Sequence, residues 1–226
     1  MAGDCKKKEY KSKFPIGLSP SIEDYDILSG LDGDEPFRVS EGSAILSYLC
    51  EKYSFGDWYP IVEKDDGEDV KLKKIREKAK INEYLSNHHT STRKVSEEVF
   101  MNLMKECFFK VPYKEEEKQK GKENVTKNIR RFSDIFLLHE RPKSLVGGNV
   151  PSFIGGRISP SIADLIAYTE LAQLGTGGGG LNFMEFTNEV HGGLFMMWLH
   201  SMEGLDFHDD VHKTVKEVAS RYKIKP

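Results

Sequence analysis

Cysteine is scarce in this chain. The three present, Cys5, Cys50 and Cys107, are an odd number at wide spacing. That points to free thiols in a reducing compartment, by default the cytosol, rather than to a disulfide framework or a zinc site. A long apolar run is also missing: no stretch approaches the ~20 residues a membrane helix needs, so no membrane partner is expected. The N-terminus, Met1-Ala2-Gly3-Asp4-Cys5-Lys6-Lys7-Lys8, has no apolar h-region. It carries Asp4 and Glu9 and lacks an Arg-rich pattern, so it reads neither as a secretory signal nor as a transit peptide. Nor is there a basic excess. Lys plus Arg is 33 and Asp plus Glu is 36, a net charge of −3, which gives nucleic acid or an anionic membrane no general attraction.

What the chain does have is globular balance. Apolar residues make up 38% and charged residues 31% of its 226 positions, which argues against global disorder. The length suffices for one large domain, or for a small and a medium domain. Residues 1–40 read as irregular or strand-like, because Pro15, Pro20 and Pro36 break any helix and Asp32-Gly33-Asp34-Glu35 marks a turn. Ser21-Ile22-Glu23 and Pro36-Phe37-Arg38-Val39 are the expected strands of a hairpin. From Ser40, a plausible N-cap, Ala44, Ile45, Tyr48 and Leu49 recur at helical spacing and predict a helix to about Tyr53.

Residues 56–70 are turn-rich and acidic and read as a linker between a domain at 1–55 and a second at 71–226. The second reads as all-helical. Its first helix is expected to run from Leu72 through Tyr84, Leu85 and His88 to Leu103 and Met104, limited by Pro112. Val125, Ile129, Phe132 and Phe136 give the next. Lys114-Glu115-Glu116-Glu117-Lys118 between them reads as a solvated face or mobile turn. Ile162 to Leu174 predict a further helix, ended by Gly175 to Gly180. Two shorter helices are expected around 188–202 and 209–222, the last with Val211, Val215, Val218 and Tyr222 on one face.

Ser161-Ile162-Ala163-Asp164 has the pattern of a capping box, with Asp164 reaching back to the backbone N–H of Ser161. Its simplest role is structural: it fixes where a helix begins. His88 and His89 are neighbours, so they point apart on a helix and make no i, i+4 metal pair; no metal site is expected. Gly177 to Gly180 lacks the Lys-Ser/Thr of a phosphate-binding loop. Cys50 and Cys107 fall at apolar helical positions and read as core. Cys5, beside Lys6, Lys7 and Lys8, is a candidate redox thiol, because those cations favour its thiolate; an incidental terminal cysteine is the simpler role.

Four segments in order resemble the glutathione transferases. Phe14-Pro15-Ile16-Gly17-Leu18-Ser19-Pro20-Ser21-Ile22-Glu23-Asp24 resembles the family's N-P-x-G-K-V-P-A-L-x-D stretch, and Glu41-Gly42-Ser43-Ala44-Ile45-Leu46-Ser47-Tyr48-Leu49 its E-S-x-A-I-L-x-Y-L. Phe153-Ile154-Gly155-Gly156 through Ser161-Ile162-Ala163-Asp164-Leu165 resembles F-L-x-G-x-x-x-S-x-A-D-L. Asn82-Glu83-Tyr84-Leu85 with His89-Thr90-Ser91-Thr92-Arg93 resembles the D-E-Y-L…H-T-T-L-R of theta-class members.

The resemblance implies a mostly α fold with an α+β remnant: a partial thioredoxin-like domain, then the family's all-α C-terminal domain. It implies glutathione as co-substrate and an electrophilic small molecule as its acceptor. Ser19 and the cis-proline Pro20 would meet the cysteinyl part of glutathione. Glu41 and Gly42 would hold the γ-glutamyl end at a helix N-terminus, where free N–H groups favour a carboxylate. Arg93 would face the electrophile pocket; as a bare residue it is equally an exposed helical arginine. Glu41, likewise, is a dipole-favourable first-turn acid.

Met1-Ala2-Gly3-Asp4-Cys5 resembles the A-G-[DE]-H that follows the second strand of these proteins. The expectation is therefore that the preceding β-α-β unit, with the Ser, Tyr or Cys that activates the thiol, is absent, and no residue here is assigned a catalytic role. A thiol near its ordinary pKa of about 8.5 is mostly protonated at neutral pH without such a group. Leu18 stands where a Lys or Gln is usual, Ser19 where a small apolar residue is usual, Gly42 in place of a serine and Cys5 in place of a histidine. Two functions follow as expectations: conjugation of glutathione where the thiol-activating segment is supplied, or a non-catalytic, transferase-like module that binds a protein partner. Family members are usually dimers, so the resemblance also implies a homodimer.

Overall fold

The alternation in Ser21–Asp24 and Phe37–Ser40 makes these segments the strands β1 and β2 of an antiparallel pair, with Ser21 opposite Ser40, Ile22 opposite Val39, Glu23 opposite Arg38 and Asp24 opposite Phe37. The structure is a computed structural model that describes residues 4–26, 35–98, 114–139, 152–172, 193–206 and 208–221. It divides into two units, 1–64 and 65–226.

In the first unit a 3-10 turn, Asp4–Lys6, leads into α1, Lys8–Lys13. This corrects the irregular or strand-like reading of 1–40 at residues 4–13, while the two expected strands are present as β1 and β2. Tyr10 and Phe14, four residues apart in sequence, pack as a tilted ring pair with centroids 5.1 Å apart, and Phe14 is buried. One aromatic pair at helical spacing is enough to hold a six-residue turn of helix against a neighbour, yet too short to register as periodicity.

On one face of the hairpin the Glu23 carboxylate bridges Lys13 and Arg38, each at 3.0 Å. The other face meets α2, Gly42–Lys52. There Asp24 accepts from Tyr48 Oη, Lys52 Nζ and, at 3.0 Å, the backbone N–H of Asp26. Phe37 packs on the Tyr48 ring at 4.8 Å. Ile45 and Cys50 of α2 are buried, and burial pushes the Cys50 thiol pKa up.

The second unit begins with α3, Glu68–Asn87. The single long helix expected from 72 to 104 is broken. A 3-10 turn, His88–Thr90, separates α3 from α4, Thr92–Glu98. The cause is local hydroxyl chemistry. Thr90 Oγ1 and Ser91 Oγ both donate to the Asn87 carbonyl, at 2.9 and 3.0 Å, and Ser91 leaves the helical region at φ −124°, ψ −94°. Below the break Tyr84 Oη and His88 Nδ1 converge on Thr92 Oγ1, at 2.6 and 3.0 Å.

The acidic run expected as a solvated face or mobile turn is solvated but helical: it forms the exposed first turn of α5, Glu115–Phe132, where Glu115, Glu116 and Glu117 complement the helix dipole. The chain then widens into a π-helix, Ser133–His139. Next come α6, Ile162–Leu171, α7, Leu194–Glu203, and α8, His208–Arg221. On α8 it is His208 and His212 that meet the Tyr168 ring, at 5.5 and 5.6 Å, while Val211, expected on the apolar face, is 71% exposed. The acidic turn at 32–34, Cys107, the helix end at 99–112, Gly175 to Gly180, the start of the helix near 188 and Tyr222 lie outside the described residues.

The core of this unit is aromatic. Tyr84 meets Phe136 edge-on at 5.0 Å, and Phe132 meets Trp198 at 5.2 Å. Seven of its largest fully buried side chains among the described residues (Trp198, Phe195, Met202, Tyr84, Ile81, Phe132 and Ile129) come from α3, α5 and α7. At its centre Asp164 receives four donors. Ser161 N–H and Ser161 Oγ both reach Oδ2 at 2.9 Å, while Ile154 N–H and Trp198 Nε1 reach Oδ1 at 3.0 and 2.9 Å. Ala163 N–H donates to Ser161 Oγ at 3.2 Å, closing the capping box. Burial pushes the Asp164 pKa up, and the four donors pull against it.

Candidate functional site

In the first unit the residues singled out from sequence gather at the N-terminus of α2. The Ser19–Pro20 peptide bond is cis. The Pro20 carbonyl accepts the Glu41 N–H at 3.3 Å, which ties the proline segment to the residue before the helix. One residue on, Ser21 Oγ and Ser40 Oγ share a hydrogen bond at 2.7 Å. Ser40 is therefore the last residue of β2 and not the N-cap expected of it; its hydroxyl is engaged across the hairpin.

Glu41 takes the N-cap position with φ +77° and ψ 124°, and no side chain caps the helix there. The first turn of an α-helix has N–H groups with no intrahelical acceptor. Gly42 and Ser43 supply two of them, beside the positive end of the helix dipole. The arrangement can hold a carboxylate on backbone N–H groups and an amine on Glu41. A non-glycine residue at φ +77° costs of order 1 kcal/mol or more, and such outliers persist where the surroundings hold them.

The neighbouring loop is held from within the same unit. Tyr10 Oη and Ser21 Oγ both donate to the Leu18 carbonyl, at 2.7 and 3.0 Å. Gly17 turns the chain at φ +68°, and a Cβ there would lie 3.1 Å from Lys11 Cε, so a side chain would be both strained and crowded. The Leu18 side chain itself is 58% exposed. Sequence reasoning missed Tyr10 as the residue that orients this loop. Its only signal was an aromatic four residues before Phe14.

In the second unit Arg93 projects from α4 with half of its side chain exposed. Its Nη1 donates to Glu170 Oε1 of α6 at 2.8 Å, and Glu97 Oε1 lies 3.8 Å from its Nε. Pairing with Glu170 raises its pKa further. Glu170, which sequence reasoning did not single out, is buried. Ser161 and Asp164 lie in the core rather than at a surface. Among the described residues no group of three or more His, Cys, Asp or Glu could hold a metal ion, and no helix is long and apolar enough to cross a membrane.

No protein-family model matches the chain. It is 32% identical over 144 residues to glutathione S-transferase theta-1 of Gallus gallus, across 63% of this chain and 45% of that protein. It is 27% identical over 168 residues to glutathione S-transferase T1 of Arabidopsis thaliana, across 74% of this chain and 56% of that protein. The matched part thus spans about half the length of these relatives. The fold is shared with human glutathione S-transferase T1-1 in its apo form, with a TM-score of 0.66 at 21% identity over 97% of this chain and 77% of that one. In sequence the chain is thus similar to theta-class glutathione S-transferases, and it shares the glutathione-transferase fold.

Proposed function

We propose that this chain binds glutathione at the N-terminus of α2, and that the protein it represents conjugates glutathione to electrophilic small molecules. The observation that carries this is the Glu41 N–H to Pro20 carbonyl bond, which joins the two resembling segments beside uncapped helical N–H groups. In this reading the backbone beside Ser19 and Pro20 takes the cysteinyl part, and Glu41 and Gly42 take the γ-glutamyl end. Gly42 keeps its N–H but has no hydroxyl to offer, a loss of about 1 kcal/mol in affinity. Conjugation also needs a group that lowers the thiol pKa, and none of this chain's residues is assigned that role. Arg93, half-exposed, is the residue proposed to face the electrophile.

The test is calorimetric titration of the chain with glutathione. A dissociation constant of about 1 mM or tighter is expected, weakened about tenfold in Glu41→Gln. No saturable binding, or equal binding by the variant, would overturn the reading. Leu18→Lys supplies the usual ligand contact and is expected to strengthen binding.

A second reading is a non-catalytic module for a protein partner. Ile16 and Leu18, exposed at 60% and 58% beside the candidate site, favour it. A homodimer is proposed from the exposed Leu72 and Ile75 of α3. The cytosol is proposed from the free thiols of Cys5 and Cys50.

A further inference from the structure

The second unit buries a carboxylate with one oxygen unanswered. The Glu170 side chain is 8% exposed, its Oε1 accepts from Arg93 Nη1 at 2.8 Å, and its Oε2 is buried with no hydrogen-bond partner. The same Oε1 lies 3.6 Å from His88 Nε2. His88 is buried as well, and its other nitrogen, Nδ1, sits 3.0 Å from Thr92 Oγ1, which in turn is 2.6 Å from Tyr84 Oη. One imidazole therefore links a pair of hydroxyls on α3 and α4 to a carboxylate on α6, at the point where the helix is broken.

The charges that face His88 can be named element by element. Glu170 comes from α6, Arg93 from α4 with Glu97 beside it, and His89 from the turn itself, its ring centroid 5.0 Å away. Tyr84 and Thr92 are neutral. Among the described residues Glu170 is thus the one anion against the ring, and a single oxygen of it is shared by Arg93 and His88.

We propose that His88, Glu170 and Arg93 form a proton-responsive latch at the joint between α3 and α4: a proton on His88 draws the Glu170 carboxylate to Nε2 and loosens the Arg93 guanidinium. In the unprotonated state Nε2 carries the hydrogen toward Glu170, Thr92 donates to Nδ1, and Tyr84 donates to Thr92. The proton arrives from solvent on Nδ1. Thr92 then turns its hydroxyl away and accepts from both Nδ1–H and Tyr84. No covalent bond changes.

Arg93 and the charged imidazole repel each other across one carboxylate. By reciprocity, whatever Arg93 costs His88 in proton affinity, the proton costs Arg93 in its hold on Glu170. Burial opposes the proton most, Glu170 favours it, and His89 and Arg93 oppose it, so the latch works below the ordinary imidazole range. The latch needs no ligand; only its bearing on an electrophile beside Arg93 rests on the transferase reading.

The test is an NMR titration of the labelled chain, without glutathione, from about pH 8 to about pH 4. The His88 Cε1–H and Arg93 Nε–H signals are expected to move with one midpoint. In His88→Gln the Arg93 step disappears. In Glu170→Gln the His88 midpoint falls by about one unit, and in Arg93→Gln it rises. Arg93 sits at a half-exposed position, so its substitution serves where loss of the buried carboxylate prevents folding. An Arg93 signal that stays flat through the His88 titration overturns the proposal. So does a His88 midpoint that is unmoved by the folded variants.

Discussion

Trp198 Nε1 of α7 donates to Asp164 Oδ1 at 2.9 Å, so the residue that starts α6 also fixes the helix packed against it. Asp164 is in effect a four-way junction. It ties the Ile154 turn, the Ser161 cap and the Trp198 indole together inside the core. Asp164→Ala leaves all four donors buried and unanswered, and the expected loss is about 3 kcal/mol or more. Ser161→Ala keeps the Asp164 bonds to Ile154 and Trp198 and loses chiefly the Ala163 cap, for about 1 kcal/mol. Urea unfolding of the two variants gives the ranking. An Asp164→Ala protein as stable as Ser161→Ala would show that the junction is not what holds the core.

A second expectation concerns the break in the helix. Thr92 Oγ1 is the shared partner of Tyr84 Oη and His88 Nδ1, and all three side chains are buried. Thr92→Val keeps the shape and strands both partners, at a cost of about 1–3 kcal/mol. Thr92→Ser keeps the hydroxyl and is expected to cost less than about 1 kcal/mol. Burial pushes the Tyr84 phenol pKa up, so it stays a neutral hydroxyl and its own charge adds no pH dependence near neutrality. Thermal unfolding of the pair, side by side, separates the hydroxyl from the methyl group.

These two sites differ in how far the sequence reveals them. The Ser161 to Asp164 pattern is local, with every partner of the cap within three residues, so spacing alone points to it. The Trp198 bond spans 34 positions and leaves no trace in spacing. The broken helix shows the converse. Leu72, Tyr84, Leu85 and His88 keep the apolar period, but Thr90 and Ser91 redirect their hydroxyls to the Asn87 carbonyl, and that competition is invisible to a hydrophobic pattern. Glu170 stayed hidden for a similar reason. It occupies a core position of an apolar helix, and its partners Arg93, 77 residues away, and His88 lie far from it in sequence.

The first unit should be acid-sensitive in a defined window. Its Lys52 partner, with Tyr48 and the Asp26 N–H, holds the Asp24 pKa down to about 2. An unfolded aspartate titrates near 3.9. Since the folded value is the lower one, the stabilisation is present above about pH 4 and is lost as pH falls toward about 2. The Ile22 and Val39 methyl signals, which report the hairpin, should broaden or shift through that window. In Asp24→Asn the hairpin should be weaker at neutral pH and should lose this acid step. An acid step that survives the substitution would move its origin to another group, with Glu23, also held low by Arg38 and Lys13, the first to examine.

Glu41 allows stability and binding to be pulled apart. Its backbone stands at φ +77°, a conformation glycine adopts freely and other residues do not. Glu41→Gly removes the strain and keeps the N–H that donates to the Pro20 carbonyl, so the first unit should gain about 1 kcal/mol. The same change removes the carboxylate proposed to meet the glutathione amine, so affinity should fall about tenfold. Glu41→Gln keeps the strain and loses the charge; it should bind as weakly as glycine while remaining no more stable than the parent. Gain of stability with loss of affinity in one variant, and loss of affinity alone in the other, is the signature of a strained residue kept for its ligand. If Glu41→Gly is more stable and binds glutathione unchanged, the carboxylate serves the helix dipole, and the backbone N–H groups alone make the site.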